Sequence, residues 1–395
     1  MTTLSPDLPL RRLWWMTLAL FLTYLTVAMA MPAVAVHVAR TLGLGNAASG
    51  LAVGIAFLST ILSRGWAGRL ADQRGGRPSL FLGLGFYLVA TLGCLASAAP
   101  GLSPHLAYAV LLAGRLLLGL GESLTLVGML AWGMALMGPP RSGKVMALVG
   151  MGMYGAFALG GPLGLLLLDR SGFMGLMLLC AALPVVGGLM LWRTPGEAPA
   201  HQGERPPFRR VLGRIWEPGA VVFLQGIGFA ALGAFFPLYF LAQGWSGAGY
   251  GLSCFGIGFV LVRLLCGNLP DRIGGLRVGA VSLLVEAAGQ ALLWLAPSPA
   301  FAFAGALLSG MGCSMVFPAM GLEAIRRVPV YLRGTAIGGF AAFQDLAYGA
   351  TGPLAGWIAD HAGHARVFLF GCVAALAGLA LVAAMGLHPA RTESR

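Results

Sequence analysis

The chain has 395 residues, of which 58% are hydrophobic and 10% charged, against roughly 25% charged in an ordinary soluble domain. That composition excludes a water-soluble fold. The formal net charge of +12 does not point to nucleic acid, because the cations lie between long apolar runs.

A helix needs about 20 apolar residues to cross about 30 Å of hydrocarbon. Twelve stretches reach that length: 13–37, 48–68, 78–99, 105–131, 144–168, 173–192, 217–242, 247–269, 276–296, 299–321, 334–359 and 365–387. With the N-terminus placed in the cytoplasm, nineteen of the 25 Lys and Arg fall on inward loops and tails, three on outward loops and three in spans. This is the bias that orients membrane helices, and it supports an even number of spans. Arg11 and Arg12 precede the first run as in a signal peptide, but its length exceeds the usual 7 to 15 residues of such a segment and no small-x-small exit follows, so it is read as a span. The 61 glycines allow close helix contacts where lipid gives no hydrophobic drive for association.

Taken in chain order, the first span offers Thr23, Tyr24 and Thr26 before Pro32 as lining for a pocket. Its end is followed by a second span that closes on Arg64-x3-Gly68-Arg-Leu70-Ala-Asp72-Gln-Arg74-Gly75-Gly76, and 199 positions later Arg263-x3-Gly267-Asn-Leu269-Pro-Asp271-Arg272-Ile-Gly274-Gly275 repeats it, with six of thirteen positions identical. Such a duplication between apolar blocks describes two copies of one membrane unit, the architecture of secondary transporters. The fourth span carries Arg115 and, seven residues on, Glu122. Both lie near one helix face, and mid-membrane charges need a partner or a wet cavity.

Gly138-Pro-Pro-Arg-Ser-Gly143-Lys144-Val145 approaches a phosphate loop but fails physically. Pro139 and Pro140 lack the N–H groups that cradle phosphate, and Val145 has no hydroxyl for magnesium. The fifth span contains Gly160-Gly161-Pro162-Leu-Gly164, a glycine–proline cluster suited to close packing and bending.

Residues 193–216 form the longest polar interval, with Pro195, Pro199, Pro206 and Pro207, and mark the boundary between an N-terminal unit (1–192) and a C-terminal unit (217–395). Within it, Phe208, Val211, Leu212, Ile215 and Trp216 recur at helical spacing opposite Arg209, Arg210 and Arg214, which fits a short helix lying on the inner leaflet. In the seventh span, Gln225, Phe236 and Tyr239 flank Pro237 and supply the other candidates for a mostly apolar pocket that takes a small organic molecule. Glu286 in the ninth span, four residues before Gln290, and Asp345 in the eleventh, beside Phe343 and Gln344, are further buried acids able to carry a proton. Glu323 near Arg326 and Arg327 reads as a local ion pair. His361 and His364 beside Asp360 read as incidental rather than as metal ligands, and the six cysteines as packing residues without a C-x-x-C pair.

Gly68 to Arg77 resembles the loop signature of the major facilitator superfamily, G-x-L-a-D-r-x-G-r-[RK], and Gly267 to Arg277 resembles its second-half counterpart. The resemblance implies an all-α membrane protein with twelve transmembrane helices in two pseudo-symmetric six-helix bundles. It implies that Gly68, Asp72, Arg74 and Arg77, with Gly267, Asp271 and Arg272, belong to the gating region. Asp72 would contact the start of the eleventh helix near Gly334 and Thr335, where the helix dipole favours an anion. This sequence has Gln73 where an arginine is usual. Arg115-x3-Gly119-Leu-Gly121 resembles the family's fourth-helix motif, which implies a place along the central cavity and a part in proton coupling. The Gly160–Gly164 cluster resembles the antiporter motif, its first glycine displaced by one position.

Together these imply a proton-coupled exporter of a small organic molecule, monomeric, in the inner membrane with both termini cytoplasmic, needing lipid and protons but no cofactor, metal or nucleic acid. Glu122 and then Asp345 lead as coupling acids, ahead of Glu286. Two alternatives stand beside this reading: proton- or sodium-coupled uptake of a sugar or organic acid, and a membrane enzyme or sensor on a transporter scaffold.

Overall fold

The computed structural model describes residues 7–138, 141–196, 209–329 and 333–387. Pro139, Pro140, Phe208 and the prolines at 199, 206 and 207 lie outside the described residues, as do the side chains of Arg209, Arg210, Gly334 and Thr335. Every regular element among the described residues is helical: α1 (Asp7–Val36), continued by a π-helical turn (His37–Thr41), α2 (Asn46–Arg74), α3 (Gly76–Ala96), α4 (Pro104–Met137), α5 (Ser142–Leu191), α6 (Arg209–Ala242), α7 (Tyr250–Cys266), α8 (Leu269–Ile273), α9 (Gly275–Trp294), α10 (Pro299–Arg326), α11 (Arg333–Ala362) and α12 (Ala365–Leu387).

The twelve expected spans are all present. α5 holds two of them, because Gly172 at φ 66°, ψ −179° bends the chain between an arm at 142–171 and an arm at 173–191. α8 is only five residues long, and the other eleven helices, with α5 counted as two arms, make twelve long rods. Nine helices among the described residues are long and apolar enough to cross a membrane, with α5 counted once; α7 is apolar but only 17 residues long, and α11 is long but less apolar. Local chemistry sets several ends. At α4, the Ser103 hydroxyl accepts the Leu106 N–H at 3.3 Å and Pro104 occupies the first turn, where a missing N–H costs nothing.

The segment expected as a separate interfacial helix is instead the first two turns of α6. Val211 and Ile215 are buried in the core with Val316, Met320 and Phe340, and Leu212 and Trp216 stay exposed. A helix with packing partners on one face has no need to lie on the lipid surface. The polar interval therefore ends at residue 208 rather than 216.

The chain groups into two compact units, one from residues 1–43 and 55–203, the other from 44–54 and 204–395. The opening turns of α2 thus go with the second unit, unlike the division at residue 193 drawn from the sequence. Glycines account for it: a Cβ on Gly54 would lie 2.9 Å from the Gly349 carbonyl oxygen, and one on Gly356 2.5 Å from the Ala47 Cα, so α2 and α11 approach backbone to backbone.

The duplicated loop is built alike in both units. Gly75 (φ 89°, ψ 163°) and Gly274 (φ 93°, ψ 146°) each stand just before a helix in a conformation that side chains rarely adopt. Gly76 and Gly275 then begin α3 and α9 in contact with the neighbouring helix, at Gly128 and Trp132 of α4 and at the Ala319 carbonyl of α10. The copies differ upstream. α2 runs unbroken to Arg74, whereas α7 stops at Cys266 and α8 starts afresh, because Pro270 stands where the first copy has Ala71. A proline inside a helix removes one hydrogen bond and collides with the carbonyl four residues earlier.

Candidate functional site

In unit 1 a buried polar cluster forms where α1, α3, α4 and the second arm of α5 meet. Helix periodicity puts Arg115 and Glu122 of α4 on one face, and both are buried, at 1% and 8% exposure. The Tyr24 hydroxyl of α1 donates to Glu122 Oε1 at 3.3 Å. Tyr87 of α3, with no exposed surface, senses the charges of both Glu122 and Arg115, and Arg115 in turn faces Cys94 and Cys180. The arrangement places one acid, one cation and two phenols in a space sealed by close helix contacts: a Cβ on Gly121 would lie 3.0 Å from Tyr87 N, and one on Gly114 2.8 Å from Cys94 N. The carboxyl is compensated by the arginine when ionised, and a proton taken up there leaves Arg115 as the one charge of the cluster.

The other first-span candidates face elsewhere. Thr23 donates to the Ala19 carbonyl of its own helix at 2.8 Å, and Thr26 donates to the Cys180 carbonyl at 3.0 Å, tying α1 to α5. Gly160 and Gly164 lie at the same α1–α5 crossing, against Ala28 and Met29, and Gly161 and Pro162 stand between them in α5. At the loop motif, Gly68 is buried, Asp72 half-buried and Arg74 exposed. Arg77 donates to the Trp192 carbonyl at 2.8 Å and stacks over Phe81 at 5.1 Å, joining the start of α3 to the end of α5.

In unit 2, Gln225 is completely buried and its Nε2 donates to Cys313 Sγ at 2.8 Å, beside Glu286, which is also completely buried. This places Gln225 in a sealed polar cluster rather than on an open lining. Phe236 packs among Phe240, Phe303 and Gly251. Tyr239 meets Phe240, Trp245 and Phe368 edge-on, and borders a cavity of about 380 Å³ whose other walls include Gln243, Trp294, His364 and Arg366. Asp345 is 6% exposed, with Phe343 and Gln344 half-buried next to it, and Phe343 covers Gly219 of α6. Gly267, Asp271 and Arg272 are exposed around α8. Glu323 pairs with Arg326 at 3.2 Å as expected, but Arg327 pairs with Glu217 of α6.

Sequence reasoning missed the N-terminus of α2. Asp360 at the end of α11 accepts from the Asn46 and Ala47 N–H groups, each at 3.0 Å, and from Asn46 Nδ2 at 2.8 Å, while His364 Nε2 meets Asn46 Oδ1 at 3.1 Å. The signal was the helix start itself, whose first N–H groups have no partner within the helix and call for an acceptor. His361 Nδ1 meets the Trp357 carbonyl, and among the described residues no three His, Cys, Asp or Glu gather as a metal site.

The sequence model of the family described as Major Facilitator Superfamily matches residues 16–345 and 219–395. An uncharacterized MFS-type transporter of Salmonella typhimurium is 44% identical over 364 residues, covering 92% of this chain and 94% of that protein. Another, of Pseudomonas aeruginosa, is 40% identical over 369 residues, covering 93% and 91%. Among solved structures, the nucleoside transporter NupG superposes with a TM-score of 0.76 at 14% identity over 94% of this chain and 98% of its own. A POT family transporter in complex with a thioalcohol-conjugated peptide gives 0.78 at 13% over 96% and 97%. At these identities the structural likeness concerns the fold.

Proposed function

The chain belongs to the major facilitator superfamily and is a multi-pass membrane transporter, and we propose that it exports a small organic molecule in exchange for protons by alternating access. It acts as a monomer in the cytoplasmic membrane, with both termini inside. The observation that carries this reading is the sealed meeting of Tyr24, Tyr87, Arg115 and Glu122. Such a group has two electrically distinct states. With Glu122 ionised, Arg115 is compensated. With Glu122 protonated, the carboxylate that could receive a donor group of the substrate is withdrawn, so proton and substrate compete for one acid and act on one equilibrium in opposite senses.

Asp345 is the second coupling acid, since it too is buried in a helix of the transport fold. The direction rests on the antiporter-like glycine cluster of α5, and the cavity beside Tyr239 and Trp294 supports an amphiphilic cargo.

The test is a proteoliposome assay with an imposed pH gradient and a compound panel spanning drugs, sugars, nucleosides and short peptides. Gradient-driven movement is expected in the wild type, lost in Glu122→Gln and weakened in Asp345→Asn. Normal coupling in both variants overturns the assignment. Accumulation driven by a sodium gradient selects uptake instead, and chemical turnover without movement across the bilayer selects an enzyme.

A further inference from the structure

The α3–α4 contact of unit 1 is repeated residue by residue in the α9–α10 contact of unit 2. A Cβ on Gly121 would meet the carbonyl of Gly83 and the N–H of Tyr87, and one on Gly312 would meet the carbonyl of Ser282 and the N–H of Glu286. Gly114 faces the Ala90 carbonyl and Cys94 N–H, as Gly305 faces the Gly289 carbonyl and Leu293 N–H. Correspondence follows directly. Glu286 stands at the place of Tyr87, Cys313 at that of Glu122, and Ala306 at that of Arg115.

Unit 2 therefore carries an acid in the same interface, but on the other helix and with alanine where unit 1 has its cation. Neither oxygen of Glu286 makes a hydrogen bond of good geometry, and the Gln225 amide is the one described group near enough to donate to it. The Gln225 amide lies beside it with its Nε2 directed at Cys313 Sγ. The Gln290 amide donates to the Gly228 carbonyl at 3.2 Å and to Ser309 Oγ at 3.3 Å. Gln225 Oε1 and Gln290 Oε1 are likewise buried and unbonded, so the compartment holds four such oxygens.

The groups facing Glu286 are neutral: Gln225 and Gly228 from α6, Ser282 and Gln290 from its own helix, Ser309 and Gly312 from α10, and Gly371 behind Gln290 from α12. Cys313 is the titratable one among its described neighbours. Arg263 of α7, which reaches Cys313 electrostatically, donates to the Ser314 carbonyl and stacks over Phe259 at 5.0 Å.

An ionised carboxylate with no cation and only one neutral amide beside it is strongly disfavoured in such a setting. One bound proton turns the acid into the missing donor. Close packing suits a ligand without size: a Cβ on Gly228 would lie 2.7 Å from Glu286 Oε1, and one on Gly371 2.6 Å from Gln290 Oε1. We propose that Glu286 is a resident proton-binding site of unit 2, whose O–H donates to Gln225 Oε1 and holds α6, α9 and α10 together as a neutral hydrogen bond. This goes beyond the transport reading, in which the exchanged proton sits on Glu122.

Infrared spectra of the purified full chain at pH 7 test it. The wild-type minus Glu286→Gln difference is expected to contain the carbonyl stretch of one protonated carboxylic acid. Gln225→Leu moves that band to higher frequency, Glu122→Gln leaves it in place, and Glu286→Gln unfolds within a few degrees of the wild type. Absence of the band, or an unshifted band in Gln225→Leu, overturns the proposal, and the second comparison stands even if Glu286→Gln does not fold. A sodium-dependent rise in unfolding temperature that Glu286→Gln abolishes also overturns it, by assigning the oxygens to a cation. Transport is not measured in any arm, so failure of the export reading leaves these outcomes unaffected.

Discussion

The Tyr24 hydroxyl on α1 and Glu122 Oε1 on α4 lie 3.3 Å apart, so a phenol 98 positions upstream governs the acid of unit 1. A hydrogen bond to a charged group contributes about 1.5–3 kcal/mol, and the lower end of that range corresponds to roughly tenfold in an equilibrium. Tyr24→Phe is expected to slow gradient-driven transport in proteoliposomes by about tenfold. An unchanged initial rate would show that this bond plays no part in the cycle.

Arg115 and Glu122 are buried together, and removing one member leaves the other as an uncompensated charge. Breaking a buried pair from one side costs about 3–5 kcal/mol, whereas replacing both is often neutral. Arg115→Gln should therefore unfold well below the wild type in detergent, and Arg115→Gln/Glu122→Gln should recover most of the loss. Additive losses in the double variant would mean that the two charges do not act on one another.

Gly76 and Gly275 occupy equivalent tight crossings, while Gly85, also on α3, faces open space. Adding a methyl group where helix backbones touch costs about 1–3 kcal/mol. Gly76→Ala and Gly275→Ala are both expected to lower the unfolding temperature, with Gly85→Ala at the wild-type value. A loss at only one of the two crossings would contradict the equivalence of the units.

The Asp360 clasp on α2 gives stability a dependence on pH. Burial opposes ionisation of Asp360, but the N–H groups of Ala47 and Asn46, the Asn46 amide and nearby His361 outweigh it and hold the carboxyl below its ordinary 3.8. Burial also lowers His364 below its ordinary 6.5, against the pull of Asp360. Both folded values lie below the unfolded ones, so each contribution is present above the unfolded value and is lost as pH falls through the folded one. Wild-type unfolding temperature should fall as the pH drops below about 6.5, and again below about 4. His364→Gln should flatten the first decline and Asp360→Asn the second. Asp360→Ala should cost about 1 kcal/mol at neutral pH, the usual worth of a helix cap.

The spans and the repeated loop were legible in the residues, since the apolar runs and the Gly75–Gly76 pair announce themselves locally, whereas the opening turns of α2 grouped with the second unit against the division drawn at residue 193. The interfacial helix was misjudged because Val211 and Ile215 have the same spacing whether they meet lipid or the Val316–Phe340 core. Gln225, read as pocket lining, lies in a sealed cluster with Cys313, because a helix position alone does not say which neighbour it will face.

Membrane insertion sums roughly independent contributions along about 20 consecutive residues, so the chain by itself determined how many helices there are and where most of them begin. Partnership across helices depends on how each rod is turned and how closely glycines let it approach the next. Only the tertiary structure could decide that Tyr24 meets Glu122, that Asp360 caps α2 across 314 positions, and that Glu286 lies among amides with no cation beside it.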